Sequence, residues 1–195
     1  MFEVISNFFS KKKHIKYLIE KTKSNVEKRN KEFDFDLLGR SLSINPYQPR
    51  GFDFDFSIFI KDNILKLRSI KDESHISNLP NDLGLIVIDT TLSKDISLVA
   101  TIRRYTPFII IHKDIFISKY QILESLIYGA DMIILDSAIL DSNSFEVLCD
   151  FALHLGLRVV GDSIDSSDIF SNVDFVMIDS PKTNITNKIA IYIEK

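Results

Sequence analysis

Lys113 is the residue in this sequence best placed to do chemistry. It ends the apolar run Phe108–Ile111 after one intervening residue, His112. Active sites of α/β barrels are built at the C-terminal ends of their strands. An ammonium there is partly desolvated, which suits it to act as a general acid or to anchor an anion. His112 alternates away from Lys113 on the same strand and is expected to face a helix layer. The other histidines, His14, His75 and His154, are scattered without metal-ligand spacing. The single cysteine, Cys149, excludes a disulfide framework and a thiolate zinc site. It stands beside Phe145, Leu148 and Ala152 on the apolar side of a helical pattern, where a thiol is core material. Neither a Gly-x-Gly-x-x-Gly nor a Walker loop is present. No cofactor and no metal are expected.

The elements that must position Lys113 follow from periodicity. Seven short apolar runs recur after residue 52: Phe56–Ile60, Leu85–Ile88, Phe108–Ile111, Met132–Leu135, Arg158–Val160, Phe175–Ile178 and Ile189–Ile193. Each is nearly continuous, as strands buried on both faces are. Amphipathic segments lie between them at Asp95–Tyr105, Lys119–Tyr128 and Ser144–Leu155. Strand–helix alternation of this kind predicts an α/β fold with a parallel sheet. Seven strands are one short of an eight-stranded barrel. The expected architecture is a truncated or incomplete (β/α)8 TIM-type barrel with an N-terminal helical extension. Gly129 reads as a helix C-cap, and Asp131 as a residue bonding locally before the next strand.

Residues 1–50 form that extension, and residues 51–195 the shortened barrel. The first fifty residues carry eleven Lys/Arg against six Asp/Glu, about +5, which leaves about −8 for the rest of a chain of net charge −3. Ser10 is placed to cap a helix running to Glu32, with Ile15, Leu18, Ile19, Thr22 and Val26 on one face. Asn45-Pro46 predicts a turn in the connector that follows. The overall charge gives no bulk electrostatic case for nucleic acid. No apolar run reaches the roughly 18 residues of a membrane span. Charge follows the first apolar stretch rather than preceding it, which argues against a signal peptide. The single cysteine and this N-terminus together predict a reducing, cytoplasmic setting.

The segment TPFIIIHKDIFISKYQILESLIYGADMIIL, residues 106–135, resembles the third-to-fourth-strand region of indole-3-glycerol phosphate synthases. The matching residues are Pro107, Lys113, Asp114, Tyr120, Gln121, Ile122, Gly129, Ala130 and Asp131. Ala152, Leu155, Gly156 and Leu157 continue the likeness at the end of the following helix, and the N-terminal helix looks like the extension before the family's first strand. The resemblance implies a (β/α)8 barrel of tryptophan biosynthesis. Its reaction closes an indole ring on a carboxyphenylamino deoxyribulose phosphate, with loss of carbon dioxide and water. It implies ammonium acids on the first and third strands, and carboxylates on the first, fifth and seventh. It further implies an Asn on the sixth strand and backbone donors for a phosphate in the late loops.

Carried over residue by residue, the family's third-strand lysine is Lys113. Its first-strand Glu-x-Lys is matched to Phe59-Ile60-Lys61, which keeps the lysine as Lys61 and loses the carboxylate. Asp162 stands for the fifth-strand base, one methylene shorter. Asp179 stands at the sixth strand end in place of Asn, and Glu194 at the seventh. The family's Ser-Pro-Ser phosphate loop after the first strand is replaced by Asn63-Ile64-Leu65-Lys66. The late glycine loops and the eighth strand have no counterpart.

Two readings remain open at this point. One is a catalytically degenerate barrel reused as a binding or scaffolding module. Its unclosed strand edges are then covered by a homodimer or a protein partner. The other is an active synthase, or a related lyase or isomerase acting on a sugar phosphate.

Overall fold

The computed structural model describes residues 2–50, 57, 60–61, 64–72, 74, 84–162, 173–180 and 188–194. The frame is a barrel of parallel strands. A two-residue strand, β1 (Ile60–Lys61), turns back antiparallel onto β2 (Ile64–Ile70). Then follow β3 (Leu85–Asp89), β4 (Ile109–Lys113), β5 (Met132–Asp136), β6 (Arg158–Asp162), β7 (Phe175–Met177) and β8 (Ile189–Glu194). Each of β2 to β7 pairs in parallel with the next. β8 then pairs with β2 over five residue pairs, from Ile64 opposite Ala190 to Arg68 opposite Glu194.

The seven parallel strands therefore close on themselves. Among the described residues, β2 and β8 pair with each other rather than facing one another across the gap expected of a barrel one strand short.

The first apolar run is also reassigned. The strand that pairs with β3 and β8 is Ile64–Ile70; of the run Phe56–Ile60, Ile60 lies in β1 and residues 56, 58 and 59 fall outside the described residues. Lys66 and Arg68 interrupt the apolar pattern of β2 and hide it from a search for continuous runs. The other six runs lie on β3 to β8, with Phe108 one residue before β4 and Ile178 one residue beyond β7.

Alternation along the strands divides the core in two. Leu65, Val87, Ile111, Ile134, Val160 and Ile191 are among the side chains filling the barrel interior. Ile86, Ile88, Ile110, Ile133 and Leu135 face outward. There they meet α3 (Ser97–Tyr105), α4 (Lys119–Ile127) and α5 (Ser142–His154), the helices between successive strands from β3 to β6. Cys149 is buried in this outer layer with Phe145 and Leu148. Gly129 ends the α4 turn with φ +98°, as a C-cap glycine does.

The extension starts with α1 (Phe2–Glu32), which begins eight residues before Ser10, so that residue lies within the helix and not at its start. α2 (Phe35–Arg40) follows, with Asp34 accepting from the Leu37 N–H at 2.8 Å. Asn45 and Tyr47 exchange hydrogen bonds in the expected turn. α1 is held against α4 by Arg29, which donates to both oxygens of the buried Glu124 carboxylate at 2.8 and 2.9 Å. The Tyr120 hydroxyl donates to the Phe33 carbonyl at 3.0 Å. Val26 packs on Leu38, Tyr120 and Leu123.

Asp131 does not bond locally. It is completely buried at the start of β5 and ties the connector to the barrel floor. Its carboxylate accepts from the Arg50 amide at 2.7 Å and guanidinium at 3.0 Å, from Arg103 at 2.7 Å, and from the Ile110 amide at 2.8 Å.

Candidate active site

Strand register decides what meets at the mouth. Side chains at alternate positions face inward, so the last inward residue of each strand lies on the C-terminal rim. Asp89 is paired in register with Lys113, and Asp136 with Asp162. A cavity of about 590 Å³ opens there, lined by Ser69, Lys71, Asp89, Lys113, Asp162 and Asp179, with apolar walls from Met177 and Ile193. Lys113, Asp136 and Asp162 also line a smaller cavity of about 180 Å³, whose far wall is Ile15 and Leu18 of α1. The N-terminal helix thus reaches the rim where the charged groups gather.

Three of the five sequence-derived site residues share the large cavity: Lys113, Asp162 and Asp179. Asp179 is the most exposed of them, just beyond β7. Glu194 ends β8, opposite Arg68 of β2; its side chain is outside the described part. Lys61 is not brought to the mouth. It is exposed, in β1, opposite Ile64 at the beginning of β2. At about 3.3 Å per residue, the length of β2 puts it roughly 20 Å from the rim.

The lysine that does reach the rim from this strand is Lys71, directly after β2. Inward alternation through Leu65, Leu67 and Ser69 leads to it. Ser69-Ile70-Lys71 is therefore the segment standing where a Glu-x-Lys motif would present its two inward groups. The signal was in the sequence as an apolar-alternating strand, LKLRSIK, but the more continuous Phe-rich run upstream concealed it. Ser69 lines the cavity two residues before Lys71, and its hydroxyl has no hydrogen-bond partner among the described residues; Phe59 lies outside the described residues. Of the stretch matched to the phosphate loop, Asn63–Lys66, the last three residues begin β2, and Asn63 lies outside the described residues. The late loops fall largely within residues 163–172 and 181–187, also outside the described residues.

Behind the rim, His112 faces the helix layer, as alternation requires, and is buried. One ring nitrogen lies 2.8 Å from the Thr90 hydroxyl and the other 2.8 Å from the Ser125 hydroxyl. Burial pulls its pKa down to about 4, so the ring is neutral near pH 7. The Thr90 amide donates to the Lys113 carbonyl at 2.9 Å. Lys94, with φ +58°, forms an ion pair with Asp114 at 2.5 Å.

Chemically, the mouth offers two ammonium groups, one on either side of β3, and several carboxylates. Proton donation to a leaving or carbonyl oxygen and proton removal by a carboxylate are both within its means. Among the described residues no helix is long and apolar enough to cross a membrane.

A family model described as indole-3-glycerol phosphate synthase matches residues 91–174. An indole-3-glycerol phosphate synthase of Campylobacter curvus is 32% identical over 170 residues, covering 78% of this chain and 65% of the relative. One from Campylobacter jejuni is 28% identical over 193 residues, covering 83% and 70%. One from Sulfurimonas denitrificans is 28% identical over 170 residues, covering 78% and 65%. The chain spans about two thirds of the length of these curated relatives.

Proposed function

The chain is a divergent relative of the indole-3-glycerol phosphate synthase family, and from that premise we propose that its barrel mouth performs acid–base ring closure on a carboxyphenylamino deoxyribulose phosphate. The observation that carries this reading is that Lys71, Lys113 and Asp162 line one cavity at the C-terminal rim. Lys113 serves as the principal acid, protonating the sugar oxygen that leaves as water. Lys71 is the second ammonium, holding negative charge on the substrate as the ring carbon loses carbon dioxide. Asp162 is the base that takes a proton from the methylene carbon next to nitrogen as water leaves and the five-membered ring becomes aromatic, the six-membered ring having been restored by the loss of carbon dioxide. Ile15 and Leu18 offer an apolar wall to the aromatic part of the substrate.

A second reading, a catalytically silent barrel that binds a ligand or partner, is favoured by Ser69, which cannot supply the charge of the carboxylate it replaces. Product fluorescence separates the two. Incubation with the carboxyphenylamino substrate is expected to yield indole-glycerol phosphate, with Lys113→Ala and Lys71→Ala each losing at least about a hundredfold in kcat/KM. Absence of product at high protein concentration removes the synthase reading and leaves the binding one.

A further inference from the structure

Proton counting around His112 gives the direction of every bond in its chain. The Ser125 hydroxyl donates to the Gln121 carbonyl at 2.8 Å, so its oxygen must accept from the imidazole. The proton is then on Nδ1 and Nε2 is free to accept from the Thr90 hydroxyl. His112, Thr90 and Ser125 are each at most 1% exposed, so no water competes for these positions.

Thr90 is the hinge of a closed circuit. Its hydroxyl is held by His112, its amide donates to the Lys113 carbonyl at 2.9 Å, and its carbonyl accepts from the Lys94 amide at 2.8 Å. Lys94 returns to the β4 side through Asp114. Residues 90–94 are thereby fastened to residues 112–114 at three points, and the turn itself is closed by the Lys94 amide on the Thr90 carbonyl. Lys94 keeps a left-handed backbone conformation that a non-glycine residue adopts only when its surroundings compel it. The segment bearing Lys113 is thus held from both neighbours and through its own carbonyl.

We propose that His112 is a positioning residue: acting through Thr90, it fixes the backbone that presents Lys113, beside Asp89, to the mouth. The inference rests on reading Lys113 as a mouth acid. The imidazole exchanges no proton with substrate; it acts as a neutral strut between α4 and the end of β3. The charged groups around it are Asp89, Asp114 and Lys94, and the Phe116 ring meets it edge-on.

The test uses the full chain and two pairs of variants. Thr90→Val keeps the shape and removes the hydroxyl, whereas Thr90→Ser keeps the hydroxyl. His112→Gln places a carbonyl oxygen near Nε2, whereas His112→Asn reaches only toward Ser125. Three quantities are read: kcat, KM and the 13Cε resonance of Lys113 in lysine-labelled protein, assigned with Lys113→Arg. Thr90→Val and His112→Asn are expected to shift that resonance and lower kcat about tenfold, with KM within about twofold. Thr90→Ser and His112→Gln are expected to stay within about threefold of the original chain. An unmoved resonance and unchanged kcat in Thr90→Val overturn the proposal. Should Thr90→Val fail to fold, the Gln–Asn contrast decides by the same measures. A chain that forms no product refutes the functional reading alone, because the Lys113 resonance still reports positioning: a shift in Thr90→Val supports it and no shift refutes it.

Discussion

Replacing Asp131 with alanine should be among the most damaging single changes outside the mouth. The carboxylate is wholly buried and accepts from the Arg50 amide and guanidinium, the Arg103 guanidinium and the Ile110 amide. Its loss strands these donors unequally. The Arg50 side chain is 29% exposed and can turn to water, but Arg103 is 7% exposed and keeps a charge without its partner. Stranding a buried charge costs about 3–5 kcal/mol. For a chain of this size about 2–4 °C of Tm is lost per kcal/mol, so a fall of about 6–20 °C is expected. Arg103→Met should cost more than Arg50→Met, in proportion to burial. Urea titration followed by far-UV circular dichroism measures all three. A loss below about 1 kcal/mol for Asp131→Ala, with an unchanged slope, would refute the claim that this carboxylate fastens the connector to the barrel.

Gly129→Ala should destabilise by roughly 1–3 kcal/mol in the same titration. The new Cβ meets Arg103 Cγ at 2.5 Å, and the backbone there has φ +98°. The depressed pKa of His112, about 4 against 6.5 unfolded, makes a stabilising contribution that is complete above pH 6.5. That contribution is lost as pH falls from 6.5 toward 4, by roughly 3 kcal/mol, because the unfolded chain takes up the proton first. Comparing denaturation of the original chain and His112→Gln at pH 7.5 and 4.5 isolates this term; an equal pH dependence in both contradicts it. Burial pushes the Cys149 thiol up to about 11. Its reaction with an aromatic disulfide reagent at pH 8 should therefore follow the unfolding rate, and fast reaction in native buffer would show the outer core to be open.

Much of the frame was legible because buried parallel strands advertise themselves. Six of the seven apolar runs mark barrel strands, and the segments between β3 and β6 fold as the helices their periodicity predicts. Lys113 was legible as a rim residue for the same reason: in-out alternation places a strand's last inward residue at the mouth. Gly129 was legible because a cap that needs positive φ favours glycine.

What local pattern could not decide was pairing. The strand that completes the barrel, β2, carries Lys66 and Arg68 and reads as a loop until β3 and β8 flank it. That one misassignment moved the candidate first-strand lysine from Lys71 to Lys61, to the opposite end of the barrel. Closure itself belongs to the same class, since a count of seven strands does not reveal that β2 and β8 pair with each other. The partners of Asp131 lie at Arg50 and Arg103, and those of His112 at Thr90 and Ser125. A side chain's type states which bonds it must make once buried, but only the packed chain brings the partners within reach.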